Sequence, residues 1–344
     1  MERRLTALWY REHPAASLLQ PLAWSYGAVL AARRRAYESG WLRSESAGKP
    51  VVVVGNLTVG GTGKTPLVIW LARELGAKGL KVGIVSRGYG RRDGQLRIVE
   101  PASDWREVGD EPLILARRSG CPTIVATDRV AAARTLAARG VDVIVADDGL
   151  QHLRLARDCE IVVIDGMRGF GNGRLLPAGP LREPVVQLWD ADVVVVNGAR
   201  EHASLAQALP PQGTLAMALA PQEAVRLDAR APARPLAEFR GQRAHAVAGI
   251  GNPQRFFASL RAQGIELIEH AFPDHHAFAA AQLAFADELP VLMTEKDAVK
   301  CLAFADARLW YVPVTAELAA ADARELLARV LAKVRTTAPD GGQF

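Results

Sequence analysis

From residue 51 onward the chain is punctuated by short runs with hardly a polar position. Each is followed by a turn rich in glycine or acidic residues, and most turns by a stretch of helical periodicity. A run without polar positions has no solvent face, as expected of a strand buried on both sides in a parallel sheet. Strands are predicted at 51–54, 81–86, 122–126, 141–146, 161–164 and 193–196. Helices are predicted over 65–78, after Glu111, and over 129–139. Alternation of this kind gives an α/β fold, a parallel sheet with helices on both faces. Residues 210–235 are rich in proline and alanine and carry little periodicity, so a linker or hinge is expected over 210–240. A smaller α/β unit is predicted beyond it. Its strands are placed at 244–250, 266–271, 291–294 and 309–312, its helices at 254–263, 277–287 and 316–334, and a frayed tail at 336–344.

Before the first strand the pattern differs. Residues 15–32 carry no charge, and Arg33, Arg34 and Arg35 close the stretch. Eighteen uncharged residues lie at the short end of the about 17–25 that span a bilayer. Gln20, Pro21, Ser25 and Gly27 dilute them, while Trp9, Tyr10, Trp24, Tyr26 and Trp41 favour a headgroup region. An interfacial helix held by its basic flanks fits best, and Arg3, Arg4 and Arg11 extend that basic character. A buried helix and a secretory signal peptide satisfy the same pattern. The expected organisation is a membrane-associated helical segment at 1–45, the main unit at 46–209, the hinge at 210–240 and the smaller unit at 241–344.

Composition narrows the class. The 344 residues are 49% hydrophobic and 23% charged, an ordinary globular balance that excludes disorder as the main state. Cys121, Cys159 and Cys301 lie far apart, which excludes a disulfide scaffold and fits a reducing compartment. The net charge of +5 comes without an RNA-binding aromatic motif or zinc-finger spacing, so no nucleic-acid partner is expected.

The sharpest chemical signal follows the first strand. Gly60, Gly61, Thr62, Gly63, Lys64 and Thr65 stand between a buried strand and a helix. Backbone amides of such a loop wrap phosphate oxygens and the helix terminus adds positive charge. Lys64 reaches the β- and γ-phosphates and the Thr65 hydroxyl is a Mg²⁺ ligand. The usual P-loop pattern wants a glycine where Thr58 stands. A metal-side carboxylate is expected at the end of a neighbouring strand, and Asp147 and Asp148 close the run at 141–146. Membrane partitioning ATPases carry an extra lysine just before the loop glycines; Val59 occupies that place.

Six segments then match one family. They begin at Gly55 (Gly-Asn-Leu-Thr-Val-Gly-Gly-Thr-Gly-Lys-Thr-Pro), Ser86 (Ser-Arg-Gly-Tyr-Gly-Arg), Gly109 (Gly-Asp-Glu-Pro), Asp147 (Asp-Asp-Gly-Leu-Gln-His), Leu181 (Leu-Arg-Glu-Pro) and Phe272 (Phe-Pro-Asp-His-His). In that order, and with the apolar N-terminal helix, the chain resembles tetraacyldisaccharide 4′-kinase, the lipid A 4′-kinase of Gram-negative bacteria, in which Thr58 is no departure. The resemblance implies a P-loop NTPase-type sheet and transfer of the ATP γ-phosphate, with Mg²⁺, to the 4′-hydroxyl of an acylated disaccharide 1-phosphate. It also implies attachment to the cytoplasmic face of the inner membrane through the N-terminal helix, with no obligate protein partner. Asp110 is then the base, paired with His275 or its neighbour His276. Thr58, Gly60, Gly61, Thr62, Gly63, Lys64, Thr65, Arg87 and Glu183 bind the nucleotide, and Thr65, Asp147, Asp148 and Glu183 serve the metal. Arg182 matches beside Glu183, Tyr89 beside Arg87, and Gln151 and His152 stand behind the acids. Thr294, Glu295, Lys296 and Asp297 either touch nucleotide or start a helix. A P-loop kinase of a small soluble acceptor and a membrane nucleotide-switch ATPase are the competing classes.

Overall fold

A computed structural model describes residues 8–10, 14–91 and 93–337. Fourteen strands follow one another among them: β1 (Val51–Gly55), β2 (Val82–Ser86), β3 (Arg97–Val99), β4 (Thr123–Val125), β5 (Val143–Asp147), β6 (Cys159–Asp165), β7 (Val193–Asn197), β8 (Thr214–Pro221), β9 (Val225–Arg226), β10 (Arg243–Ala248), β11 (Glu266–Ala271), β12 (Val291–Thr294), β13 (Leu309–Val312) and β14 (Val314–Glu317). They form a nine-stranded sheet of order β14-β8-β7-β6-β1-β5-β2-β4-β3 and a five-stranded sheet of order β11-β10-β12-β13-β9. In the large sheet only the edge strands β3 and β14 run antiparallel to their neighbours.

The apolar runs form the central strands for the expected reason. In β1, Val52 and Val54 enter one core and Val51 and Val53 enter the other. The helices that matter here are α1 (Gln20–Glu38), α2 (Lys64–Ala77), α3 (Asp110–Ser119), α4 (Arg129–Ala138), α5 (Pro253–Ala262), α6 (Glu295–Cys301) and α7 (Ala320–Thr337).

Three expectations change. Residues 210–240 are not a structureless linker. They contain β8, paired with β7, and β9, which joins the small sheet. Alanine-rich β8 lies next to an edge, so its periodicity is weak. The chain also returns: β14 pairs with β8, and α7 places Leu326, Val330 and Val334 in the same core as Val52 and Leu67. The stretch predicted as one helix over 316–334 is therefore the end of a strand followed by a helix, both on the large sheet. Finally, residues 277–287 hold one 3-10 turn, Ala280–Gln282, rather than a helix. Phe278 and Leu283 are buried in the small unit's core, Phe285 packs against it, and their spacing does not fit one helical face.

Helix α1 packs one face on the large unit. Ala23 is buried, Tyr26 Oη donates to the Arg182 carbonyl at 3.0 Å, and Arg33 donates to the Gln151 carbonyl at 3.1 Å. Leu18, Leu22, Trp24 and Val29 are exposed. No helix among the described residues is long and apolar enough to cross a membrane. Arg3, Arg4, Arg11 and residues 338–344 of the expected tail lie outside the described residues; Thr336 still belongs to α7.

Candidate active site

The loop between β1 and α2 is built around Asn56. Its amide donates to the carbonyls of Thr58 at 2.8 Å and Gly60 at 3.3 Å, and its Oδ1 accepts from Lys64 Nζ at 3.1 Å. A single buried side chain thus curls the loop and aims its lysine. Gly63, just before α2, has φ of 96°, and a Cβ there would run into the Asn197 amide. That amide donates to the Thr62 carbonyl at 2.8 Å. Thr58 and Thr62 are buried, Gly60 and Gly61 lie at the turn, and Thr65 sits in the first turn of α2. Arg168 donates to the Gly61 carbonyl at 2.6 Å.

The neighbouring strand β5 is in register with β1, pairing Val54 with Asp147. This brings the acid pair beside the loop. Asp148 lies 3.4 Å from Lys64 Nζ, and Arg182 reaches both its oxygens at 3.0 and 2.8 Å. Burial alone would raise its pKa, but Lys64, Arg182 and Arg129 outweigh burial and hold it far below the usual carboxylate range. Asp147 behaves oppositely. Burial, then Glu111 and Asp148, push it up to about 7 against the pull of Lys64 and Arg129. Ser86 Oγ donates to its Oδ2 at 3.4 Å, while Oδ1 is buried without a partner, as is the Thr62 hydroxyl. A buried carboxylate oxygen with nothing to bond, beside a phosphate-type loop, fits a cation held jointly by acid, hydroxyl and phosphate.

Asp110 opens α3, where Gly109 (φ 92°) turns the chain. It is 4% exposed, and His275 Nδ1 lies 3.1 Å from its Oδ2. Lys300, wholly buried, is 3.5 Å away. Burial works to raise the Asp110 pKa, yet the His275 hydrogen bond and the charges of Lys296, His275 and Lys300 bring it well below the ordinary range. His275 adopts a left-handed φ of 57° on the loop after β11. Burial and Lys296 lower its pKa, while Asp110 and Asp274 more than compensate, so it ends above the ordinary value. Tyr89 packs on its ring at 4.7 Å between centroids. His276 turns elsewhere, toward Gln282 at 3.1 Å. The geometry therefore separates the two histidines that the sequence leaves equivalent.

Other expected residues fare differently. Arg182 joins the acid pair, but no hydrogen bond or ion pair links Glu183 to the loop or the acids among the described residues. Glu183 is buried, raised by that burial, in the field of Arg34, Arg33, Arg182 and Arg157. Arg87 is exposed on the turn after β2. Gln151 donates to the Asn56 carbonyl at 3.3 Å, and His152 is pushed down to about 4 by burial, then by Arg129 and Arg157. Sequence reading missed Asn56, although it stands inside the matched segment. It also missed Arg129, buried and donating to the Asp148 carbonyl at 2.7 Å, for which no local pattern exists. The link between the two sheets was missed as well: Arg255 donates to Asn197 Oδ1 at 2.8 Å, and Arg168 donates to the Gly251 carbonyl at 3.4 Å.

Comparison with known proteins identifies the family. The family model for tetraacyldisaccharide-1-P 4′-kinase matches residues 15–334. A tetraacyldisaccharide 4′-kinase of Alkalilimnicola ehrlichii is 51% identical over 335 residues, covering 96% of this chain and 98% of that protein. Its counterpart in Xanthomonas euvesicatoria is 50% identical over 331 residues, covering 95% and 96%. A crystal structure of the Aquifex aeolicus enzyme LpxK in complex with ATP superposes with a TM-score of 0.75 at 28% identity, covering 93% of this chain and 99% of that one. Strand order, phosphate loop, acid pair and relatives converge, and the chain belongs to the tetraacyldisaccharide-1-P 4′-kinase family.

Proposed function

We propose that this chain transfers the γ-phosphate of ATP to the 4′-hydroxyl of tetraacyldisaccharide 1-phosphate, with Asp110 as the base. The observation that carries the assignment of roles is the Asp110–His275 pair at 3.1 Å, which joins α3 of the large unit to the loop after β11 of the small one. Glu111, next to Asp110, adds to the negative field at Asp147, which supports reading the base and the acid pair as one site.

The loop amides and Lys64 bind the triphosphate. Thr65, Asp147 and Asp148 are the groups that would hold magnesium, which supplies positive charge to the β- and γ-oxygens when bound. Asp110 accepts the hydroxyl proton as the 4′-oxygen bonds to the γ-phosphorus. The bond from that phosphorus to the β–γ bridging oxygen breaks, and ADP leaves. His275 orients the carboxylate. Arg182 keeps Asp148 ionised and placed. Arg87, on the exposed turn with Tyr89, is the group available to an acceptor phosphate.

The acceptor carries acyl chains, and α1 offers a surface that suits a bilayer. Trp24 is 68% and Leu22 58% exposed on it, and Arg33, Arg34 and Arg35 stand near its C-terminal end. We read this as attachment along the cytoplasmic face of the inner membrane. A decisive assay supplies γ-labelled ATP, Mg²⁺ and the acylated disaccharide to the wild-type protein and to Lys64→Ala. Label on the glycolipid with the first and not the second is the expected result. Absence of labelled glycolipid with both refutes the reading.

A further inference from the structure

The segment Thr294, Glu295, Lys296 and Asp297 has no part in the reading above. In the structure it starts α6. Thr294 Oγ1 accepts from the Asp297 amide and so caps the helix. That start aims Lys296 across the gap between the two sheets. Its Nζ lies 3.2 Å from His275 Nε2, 3.0 Å from Glu111 Oε1 and 3.3 Å from Asp274 Oδ1. An ammonium has three protons to donate and no lone pair. Three acceptors surround this one, so the count closes only if His275 Nε2 accepts.

The rest follows from the imidazole. If Nε2 carries the lone pair, the ring proton of the neutral form sits on Nδ1, the atom 3.1 Å from Asp110 Oδ2. We propose that Lys296 is a positioning residue of the transfer reaction: its ammonium holds His275 in the Nδ1–H tautomer and so aims a neutral donor at Asp110. This rests on the reading of Asp110 as the base. The consequence for that base is direct. A neutral donor orients the carboxylate, whereas an imidazolium in the same place would weaken its pull on the substrate proton.

The groups facing His275 support the arrangement. Asp110 approaches from α3, Lys296 from α6 with Glu111 behind it, Tyr89 from the turn after β2, and Asp274 from its own loop, with Lys300 across Asp110. Glu111, Asp110 and Asp274 raise the Lys296 pKa well above the ordinary lysine value although burial works to lower it, so the ammonium persists. Lys296 in turn presses the His275 pKa down, and removing it leaves the imidazolium in place to higher pH.

The test uses the full chain labelled with ¹⁵N-histidine, the His275 signals being assigned by their loss in His275→Asn. In mildly alkaline buffer the wild type is expected to show Nδ1 protonated and Nε2 bare. In Lys296→Met the imidazolium should persist to higher pH by about one unit, and the acid limb of kcat should follow it, with the KM for ATP within about twofold. Lys296→Arg should return the limb toward the wild type. Lys296→Gln serves where the methionine variant fails to fold, and the wild-type spectrum decides the tautomer alone. An Nε2–H tautomer in the wild type overturns the proposal. So does an unmoved acid limb in the neutral variants, which would leave Lys296 only as a bridge to Glu111. A failure of Asp110 as base would appear as an Asp110→Asn enzyme of normal rate, and would leave the tautomer unchanged.

Discussion

Replacing Asp110 by asparagine tests the proposed base at nearly constant shape. The amide oxygen still accepts a hydrogen bond from the Glu111 backbone amide, which now reaches Asp110 Oδ1 at 2.8 Å. What is lost is the group that takes the proton. A general base contributes about 10²–10⁴ in rate, or roughly 2.7–5.4 kcal/mol of barrier. The expected kcat therefore falls by at least about 100-fold. The fold should survive. Lys300, the buried cation beside Asp110, keeps Asp297 at 3.2 Å and the His276 carbonyl at 3.2 Å. The cost is then nearer the about 1–3 kcal/mol of an imperfect buried hydrogen bond than the about 3–5 of an unpaired charge. The KM for ATP should hold within about twofold, because Lys64 bonds Asn56 and Asp148 rather than Asp110. Single-turnover transfer of labelled phosphate to the acylated disaccharide, with a melting curve beside it, reads all three quantities. A folded Asp110→Asn enzyme within about threefold of wild-type kcat would remove Asp110 from the chemistry.

Asn56→Ala leaves the buried Thr58 carbonyl without its amide donor and Lys64 with Asp148 alone. A loss of about 1–3 kcal/mol in stability and a raised KM for ATP are expected, checked by denaturant melts and initial rates. His152 sits at about 4 in the folded chain against 6.5 when unfolded, so its contribution to stability is present above about 6.5 and is lost as the pH falls toward 4. His152→Gln should flatten that acid side, and an unchanged pH profile of urea midpoints would contradict the assignment. Leu22→Asp with Trp24→Asp places charge on the exposed face of α1. Reduced sedimentation with anionic vesicles at an unchanged KM for ATP is the expected outcome, and undiminished sedimentation would move the contact elsewhere.

The central strands were legible because burial on both faces leaves a mark in sequence. Val51 to Val54 and Val193 to Val196 carry no polar position, and each lies with neighbours on either side. Edge strands leave less. β3 has only Val99 buried among its three residues, and β8 alternates weakly through alanines, so neither stood out from its surroundings. The stretch at 277–287 reads as a helix from its alanines, but tertiary anchors override that propensity. Phe285 stacks on His245 at 3.8 Å between centroids, while Phe278 and Leu283 are drawn into the core separately. The site divides in the same way. A loop whose parts are consecutive, Gly60 to Thr65, announces itself. Arg129, Lys296 and Arg255 act on partners well removed in the chain, and no local pattern encodes such meetings, while Asn56 works inside its own loop without being one of its signature residues.

The returning chain bears on how a site divided between two units is held together. The small sheet is inserted between β8 and β14, so two strands cross from one unit to the other rather than one linker. These strands are hydrogen-bonded neighbours, and the pairing continues at the crossing, where the Gln222 amide donates to the Pro313 carbonyl at 2.8 Å. A paired ribbon resists twisting far more than a single extended segment with free dihedrals, since each backbone torsion is tied to its partner's. Side-chain pairs also join the two units. Arg118 of α3 pairs with Glu295 of α6 at 2.8 Å, and Lys296 pairs with Glu111. Gly251 approaches the loop so closely that a Cβ would stand 3.0 Å from the Gly61 amide. Opening is therefore expected to bend the ribbon and break the pairs from α3 to α6, of which Lys296–Glu111 adjoins the Asp110–His275 bond. A Gly251→Ala chain, crowded against the Gly61 amide, should raise the KM for ATP while leaving the small sheet's own stability unchanged. Initial rates at varied ATP read that shift, and an unaltered KM would show that the small unit does not bear on the phosphate loop.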